Sequence, residues 1–528
     1  MATGTEPHTA PMPDVESAHP PVAAWERIAV VVVTAAFGLW LILWAVVVPA
    51  FQAPDETAHF DSAVHLAVGD PWAAPGDLRV LNAVQAAAAQ QGSVSRDEWS
   101  TMTELLAGAP GTSDTVDQMT QHPPTVYAAG AVVLRAVHFG DLRWDHAVLA
   151  LRVADAVAVT PLAALAWATV RRLTRSPRAG LVGALALFAT PELASIGASV
   201  SNDAPVLLVA GVVVWLVTRL LTGDLRWRTT VALGLTLSVL VWLKGTGLPA
   251  VPFVAIAVLV AGTGTLRLGQ RCLRTVVTLG ICATLGSWWW VHNLVTTGRV
   301  QPNGYTAMRP PADFPSGEGP SLTHFLDVSW GTLTRTFWGS PGIKAQVSIG
   351  DLFTAVLTIV VLVVLVAFAF RRGPLLRPVV VLAVFPALLI VVQTATSARA
   401  YLTTTEVAAT QGRYYFPAVL CLVAISAVAW RRVFPRGRRV VAVVVAIVAP
   451  AIGLYGVAVA GNWFWNAAHP LPSGTAVERY RELGPVPPGL VAAVLVLVVV
   501  GLMVSAIAVA RAPHTAPRGA VEPVRASA

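Results

Sequence analysis

Apolar runs of membrane-crossing length recur along this chain, and that repetition constrains the fold more than any other feature. The first ends in AAFGLWLILWAVVVPA (35–50), which contains no charged residue. About 20 such residues cross a bilayer's hydrocarbon core as a helix, because a helix satisfies its own backbone groups where no water can. Only 12% of the 528 residues are charged, against roughly 25% in soluble proteins. The expected class is all-α: a polytopic integral membrane protein.

The arginines fall in short segments between apolar runs: RRLTRSPR (171–178), LRLGQRCLR (266–274), RRVFPRGRR (431–439), and further groups near 219–228, 371–377 and 511–525. Basic short loops mark the cytoplasmic face. The net charge of +8 is therefore read as an orientation signal, and nucleic acid is not an expected partner. Spans are expected near 28–50, 148–170, 179–200, 204–221, 229–246, 248–263, 275–295, 351–370, 376–395, 412–430, 439–460 and 489–510, about 12 helices. The expected organisation is a disordered cytoplasmic tail at 1–27, a membrane domain at 28–510 and a cytoplasmic tail at 511–528, multi-pass in the plasma membrane. TVYAAGAVVLRAVHF (125–139) is short and carries Arg135 and His138, so it reads as an interfacial helix on the outer face; a thirteenth span is the alternative. Two large external loops follow, about 51–147 and 296–350, and the first is rich in acids. Long loops usually carry function, which points to the outer face. The three cysteines, Cys272, Cys282 and Cys421, are scattered and imply no disulfide framework.

FQAPDETAHF (51–60) sets Asp55, Glu56 and His59 at the mouth of the first span. A short helix starting near Pro54 would put the three on one face. Carboxylates there could serve as a general base, hold a divalent cation, or simply suit a helix N-terminus. His122, before two prolines in QHPPTVY, is either a rigid turn residue or an aimed ring. Asp203 in GASVSNDAP is either a helix cap or a second acid facing Asp55. Lys244 in VWLKGTGLP either snorkels to the headgroups or faces an anion. Arg413, followed by Tyr414 in TQGRYYFP, has the chemistry for bidentate phosphate binding, or belongs to an interfacial belt. Arg152 and Asp155, three apart in one span, are expected to pair with each other. No phosphate-cradling loop, His-Glu-x-x-His or Cys-x-x-Cys motif occurs.

PDETAHF, QHPP, SND and QGRYYFP, in this order across about residues 28–460, resemble the predicted membrane protein family called domain of unknown function 2142. That family is similar to the GT-C membrane glycosyltransferases. The resemblance implies a GT-C-like fold, a polyprenyl-phosphate-linked sugar as donor, a glycan acceptor, and a first-loop acid acting as base. Asp55 matches that acid, with Glu56 beside it. Asp203 matches a second acid, and Arg413 a phosphate ligand by chemical type alone. His59, His122, Lys244 and Tyr414 are expected to line the substrate site.

The expected function is sugar transfer from a polyprenyl phosphate to an external envelope polysaccharide or glycolipid. A transporter or flippase of lipid-linked precursors is the alternative, and a non-enzymatic assembly scaffold a third reading. No cofactor is assigned, and a divalent cation is left open.

Overall fold

The computed structural model describes residues 21–303, 310–371, 373, 375–408, 410–466 and 474–513. Residues 1–20 of the expected N-terminal tail, and most of the C-terminal tail, lie outside the described residues; 24–27, expected to belong to the tail, form the first turn of a helix.

Helix α1 (Ala24–Val47) has ionisable residues only in its first turn, Glu26 and Arg27. Phe37, Trp40, Leu41 and Trp44 recur every three to four residues and are all buried, the stripe a helix must show when it packs inward. Pro49 ends it by forcing Val48 to extended geometry, φ −79° and ψ 124°.

The next hundred residues fold rather than loop. Helix α2 (Glu56–Val68), strand β1 (Arg79–Leu81), α3 (Asn82–Ser93), α4 (Met102–Gly108), β2 (Thr112–Val116) and α5 (Thr125–Ala136) build a cap on the first span. The strands pair antiparallel, with Leu81 opposite Thr112. The cap has its own core of Phe51, Phe60, Val84, Met102, Leu134 and Trp144. The 125–139 segment is the short helix α5. It lies against α2, and Arg135 Nη2 donates to Leu66 O at 2.7 Å.

Helices α6 (Trp144–Val159) and α7 (Leu162–Thr174) form one apolar stretch broken near Pro161. Helix α8 (Pro177–Ala186) continues to Ala189 and bends by 78° into α9 (Pro191–Gly197). Then come α10 (Asp203–Leu221), α11 (Trp227–Leu243), α12 (Ala250–Val260), α13 (Leu268–Gly286), α14 (Trp288–Thr297), α15 (Leu322–Trp338), α16 (Asp351–Ala369) and α17 (Leu376–Tyr401). A tight 3₁₀ stretch, Gly412–Ala418, leads into α18 (Val419–Val433). Helices α19 (Arg438–Trp465), α20 (Gly474–Leu483) and α21 (Pro488–Arg511) complete the described chain.

Among the described residues 8 helices are long and apolar enough to cross a membrane, or 9 if the bent pair counts as one span. The expected number was about 12. The difference lies where apolar sequence is cut short. The stretches at 229–246 and 248–263 become α11 and α12, of 17 and 11 residues. The run at 275–295 breaks at Ser287 into α13 and α14. Helix α15 also occupies part of the expected 296–350 loop.

Lipid tails are as apolar as leucine, so helices associate in a bilayer by close contact at small residues. A methyl group on Gly501 of α21 would lie 2.8 Å from Ala36 Cβ of α1, and one on Gly183 of α8 would lie 2.7 Å from Val170 of α7. Helix α10 runs through the middle, touching α6, α7, α11, α12 and α18. This arrangement gathers the turn after α1, the start of α10, the end of α11 and the start of α18 at one end of the bundle. The α7–α8, α16–α17 and α18–α19 turns lie at the other.

Candidate functional site

Four chain segments meet at the first end. Asp55 precedes α2 with a left-handed backbone, φ 57° and ψ 11°, a conformation uncommon for a side-chain-bearing residue and often found at functional sites. Asp203 opens α10, where the helix dipole favours a carboxylate. Lys244 follows the last turn of α11. Arg413 lies in the 3₁₀ stretch. Gly412 before it fits only because it has no side chain: a Cβ there would collide with the Phe337 backbone. Its own N–H donates to Thr336 Oγ1 at 2.7 Å.

Arg413 Nη2 donates to Asp55 Oδ2 at 2.7 Å, and its Nη1 lies 4.0 Å from Asp203 Oδ2. Lys244 Nζ donates to Asp203 Oδ1 at 2.7 Å. Lys244 therefore does not snorkel; it is buried on a carboxylate. The Tyr414 ring lies 5.3 Å from the Arg413 guanidinium and 6.0 Å from Lys244 Nζ, close enough for its π face to stabilise both cations. Gln118 Nε2 donates to Asp55 Oδ1 at 3.3 Å.

His59 stacks on Tyr127, with its Nδ1 3.1 Å from the tyrosine hydroxyl, which also accepts from Asn202 Nδ2 at 3.3 Å. Burial drives the His59 imidazole down to about 3, and the Asp55 charge offsets only part of that. Burial likewise pushes His122 well below its usual range, helped by Lys244 and His59. Both rings are neutral at pH 7. Burial alone would raise Asp55, but its surroundings, Arg413 first among them with His59 and Lys244, together hold the carboxyl below its ordinary value.

Asp203 Oδ2, Arg413 Nε, His122 Nδ1 and Asn202 Oδ1 are buried with no hydrogen-bond partner among the described residues. Buried polar atoms are nearly always satisfied. Four orphans in and around one charged cluster suit a polar ligand. A cavity of about 280 Å³ adjoins the cluster, walled by His59, Tyr127, Asp155, Ser201 and aliphatic residues of α5 and α6.

Glu56 does not share a face with Asp55. Its carboxylate accepts from Arg152 Nε at 2.7 Å, Arg152 Nη2 at 2.6 Å and Val200 N at 3.1 Å. Arg152 also donates to the carbonyls of Ala45, Val48 and Pro49 at the end of α1. The expected Arg152–Asp155 pair is thus replaced by Arg152–Glu56: only Glu56 comes with three carbonyls that use the rest of the guanidinium. Asp155 instead accepts from Ser201 N at 3.3 Å. Asp55 and Glu56 engage different arginines. Among the described residues no group of three or more His, Cys, Asp or Glu is arranged to hold a metal.

Sequence reasoning missed Glu192, Gln118, Tyr127 and Asn202. Glu192 in TPELAS is buried just past the bend between α8 and α9, accepts from Ser340 N at 2.8 Å and lies within electrostatic reach of Arg413. A proline followed by an acid reads as an ordinary helix start, so no sequence signal set it apart.

The architecture defines a polytopic helical membrane protein with a buried ion-paired site at one end of its bundle. A family model described as "Predicted membrane protein (DUF2142)" matches residues 37–422, and the chain belongs to that family. No curated protein matches it. Among solved structures it is similar to ArnT from Cupriavidus metallidurans bound to undecaprenyl phosphate, at 18% identity, TM-score 0.47, covering 92% of this chain and 76% of that one. It is also similar to the Archaeoglobus fulgidus oligosaccharyltransferase complex with Zn and sulfate, at 13% identity, TM-score 0.42, covering 94% of this chain and 58% of that one.

Proposed function

We propose that this protein is a membrane glycosyltransferase of GT-C type, which moves a sugar from a polyprenyl phosphate to an acceptor hydroxyl on an envelope polysaccharide or glycolipid. The observation that carries the reading is the Asp55–Arg413–Asp203–Lys244 cluster, at the end of the bundle expected to face outward across the plasma membrane. A polyprenyl-linked sugar keeps its tail in the bilayer and its anomeric carbon at the interface, so only groups at that depth can act on it.

In the proposed reaction the donor phosphate takes Arg413 as its partner, with Lys244 nearby. Arg413 offers a fork that matches phosphate oxygens. Asp55 then loses its strongest counter-charge and its proton affinity rises toward the ordinary carboxylate range. It accepts the proton of the acceptor hydroxyl as that oxygen bonds to the anomeric carbon. The bond from that carbon to phosphate breaks, and its electron pair leaves with the polyprenyl phosphate, whose charge the cations stabilise. Attack opposite the leaving group inverts the anomeric centre. The neutral rings of His59 and His122 line the site without adding charge. The 280 Å³ cavity beside His59 supplies room for the acceptor.

The test is to incubate membranes holding the full-length chain with a panel of labelled polyprenyl-phosphate sugars and follow transfer to lipid and polysaccharide fractions. Transfer lost in Asp55→Asn supports the reading; equal transfer from both proteins removes Asp55 as base. One observation favours the alternative of a transporter of lipid-linked precursors: Glu192 lies just past the 78° bend of a broken helix, an arrangement transporters use. Movement of the labelled lipid across vesicles without covalent transfer would select that reading.

A further inference from the structure

A second feature opens at the end of the bundle opposite Asp55. A cavity of about 440 Å³ runs between α8, α16, α18 and α19 along the length of α18, from Arg431 to Val419, Phe337 and Trp338 beside the Arg413 stretch. Its walls are mainly aliphatic, among them Val423 and Val445. At the turn-bearing end they give way to Arg178, Arg431 and Arg438. A smaller cavity of about 150 Å³ shares Arg431 and Arg438 and adds Arg371 and Arg432. The outer wall of the large cavity is open to the bilayer: Val360, Val444 and Val448 line it and are still 44%, 49% and 46% exposed.

The arginines at this mouth, half-buried at Arg431 and exposed at Arg371 and Arg438, differ in their partners from three buried ones. Arg152, Arg171 and Arg413 each bond a carboxylate, Glu56, Glu26 and Asp55, at 2.6–2.7 Å. Arg371, Arg431 and Arg438 form no ion pair with a carboxylate among the described residues; Arg438 Nε donates to the Arg431 carbonyl at 2.9 Å instead. Arg431 lies within Coulombic reach of both Arg438 and Arg178. Like charges gathered at the mouth of a hydrocarbon-lined cavity repel one another unless an anion lies between them.

We propose that Arg431 and Arg438 hold the phosphate of an anionic phospholipid, with one of its acyl chains in the aliphatic cavity between α8, α16, α18 and α19. The commitment to a lipid follows from continuity: the arginines cap a cavity whose walls run into the bilayer, so one molecule with an anionic head and an apolar chain satisfies both parts. A free phosphate would leave the aliphatic part empty. Basic pockets between spans are a known route to headgroup recognition. The donor of the proposed reaction places its phosphate at Arg413, at the other end of the same cavity, so the arginines here are left to a different head group.

The experiment titrates the delipidated full-length chain with phosphatidylglycerol or phosphatidylcholine of identical acyl chains and counts bound lipids by native mass spectrometry. The chain is expected to bind phosphatidylglycerol about 30-fold more tightly, each arginine contributing about fivefold. The double variant Arg431→Gln/Arg438→Gln should lose that preference. Arg436→Gln, an exposed arginine of the same turn outside both cavities, should keep it. Should the double variant fail to fold, Arg438→Gln alone, at an exposed position, should cost about fivefold. Equal binding of the two lipids, an unchanged preference in the Arg438 variant, or an equal loss in the Arg436 variant would each overturn the proposal. So would displacement of phosphatidylglycerol by one equivalent of undecaprenyl phosphate, which would make the cavity the donor's own groove.

Discussion

Asp55 and Glu56 are neighbours in sequence and belong to two different regions. Glu56 sits in a closed knot in which every group is used: Arg152 spans its carboxylate and three carbonyls at the end of α1, and Val200 N completes it. Asp55 sits in an open cluster. Its side chain is 35% exposed, and Asp203 Oδ2 and Arg413 Nε nearby have no partner. Both regions contain an arginine on a carboxylate. What separates them is satisfaction: a knot that consumes all its hydrogen-bonding capacity holds the fold together, and a cluster that leaves capacity over is built for something to bind.

The largest expected effect is on the knot. Arg152→Ala leaves the Glu56 charge buried alone, and breaking a buried pair costs about 3–5 kcal/mol. The variant should lose most folded protein, read as monodisperse yield and melting midpoint in detergent. Replacing both partners, Arg152→Met with Glu56→Leu, should recover part of the loss, because an apolar pair avoids the desolvation cost; the three carbonyls of α1 stay unsatisfied. A single variant that melts like the parent would show that the knot does not hold the fold together.

Next comes the cluster. Asn tolerates a left-handed backbone, so Asp55→Asn should keep the fold while sugar transfer drops about 100-fold or more, the range for loss of a general base. An unfolded Asp55→Asn would move Asp55 into the structural class. Arg413→Lys keeps the charge and loses the fork. It should raise the KM for donor about tenfold, as one lost charge-assisted hydrogen bond does, with little change in melting.

The sequence made the membrane class legible and marked Asp55, Asp203 and Arg413 as groups that could share one cavity, since ionisable groups at the ends of apolar runs are costly unless they find partners; it left Lys244 open between an anion and the headgroups. It did not separate Asp55 from Glu56. Both follow Pro54, and which one faces the cluster depends on a single left-handed residue that local propensity does not favour. The Arg152 partner was misjudged for a related reason. Asp155 is close in sequence, but the carbonyls that make Glu56 the better site come from the end of a different helix. The expected count of about 12 spans and the 8 or 9 helices of crossing length part at α11 to α14, because hydropathy registers apolar length and not where a helix breaks. Glu192 was hidden by a bend whose buried acid resembles a helix start.

The smallest effect tests how far the structural role extends along α2. His65 Nδ1 lies 2.7 Å from Asp70 Oδ2, and its Nε2 lies 2.9 Å from Arg79 O and 3.4 Å from Asp61 Oδ2. Its Nε2 pins β1 to α2 and its Nδ1 ties down Asp70 just past the helix; two acceptors on the two ring nitrogens require the protonated ring. Burial works against that charge, but Asp61, Asp70 and the Arg79 carbonyl outweigh it and raise the imidazole to about 9. A pKa raised on folding stabilises the folded state fully below the unfolded value of 6.5 and loses that contribution as pH climbs toward about 9. The amides of α2 and β1 should therefore exchange faster with deuterium as pH rises through this window, after correction for intrinsic exchange. His65→Gln should flatten the trend and leave the Asp55 cluster active. If the corrected exchange stays level in the parent chain, His65 is not charged in the fold, and the structural knot ends at Glu56.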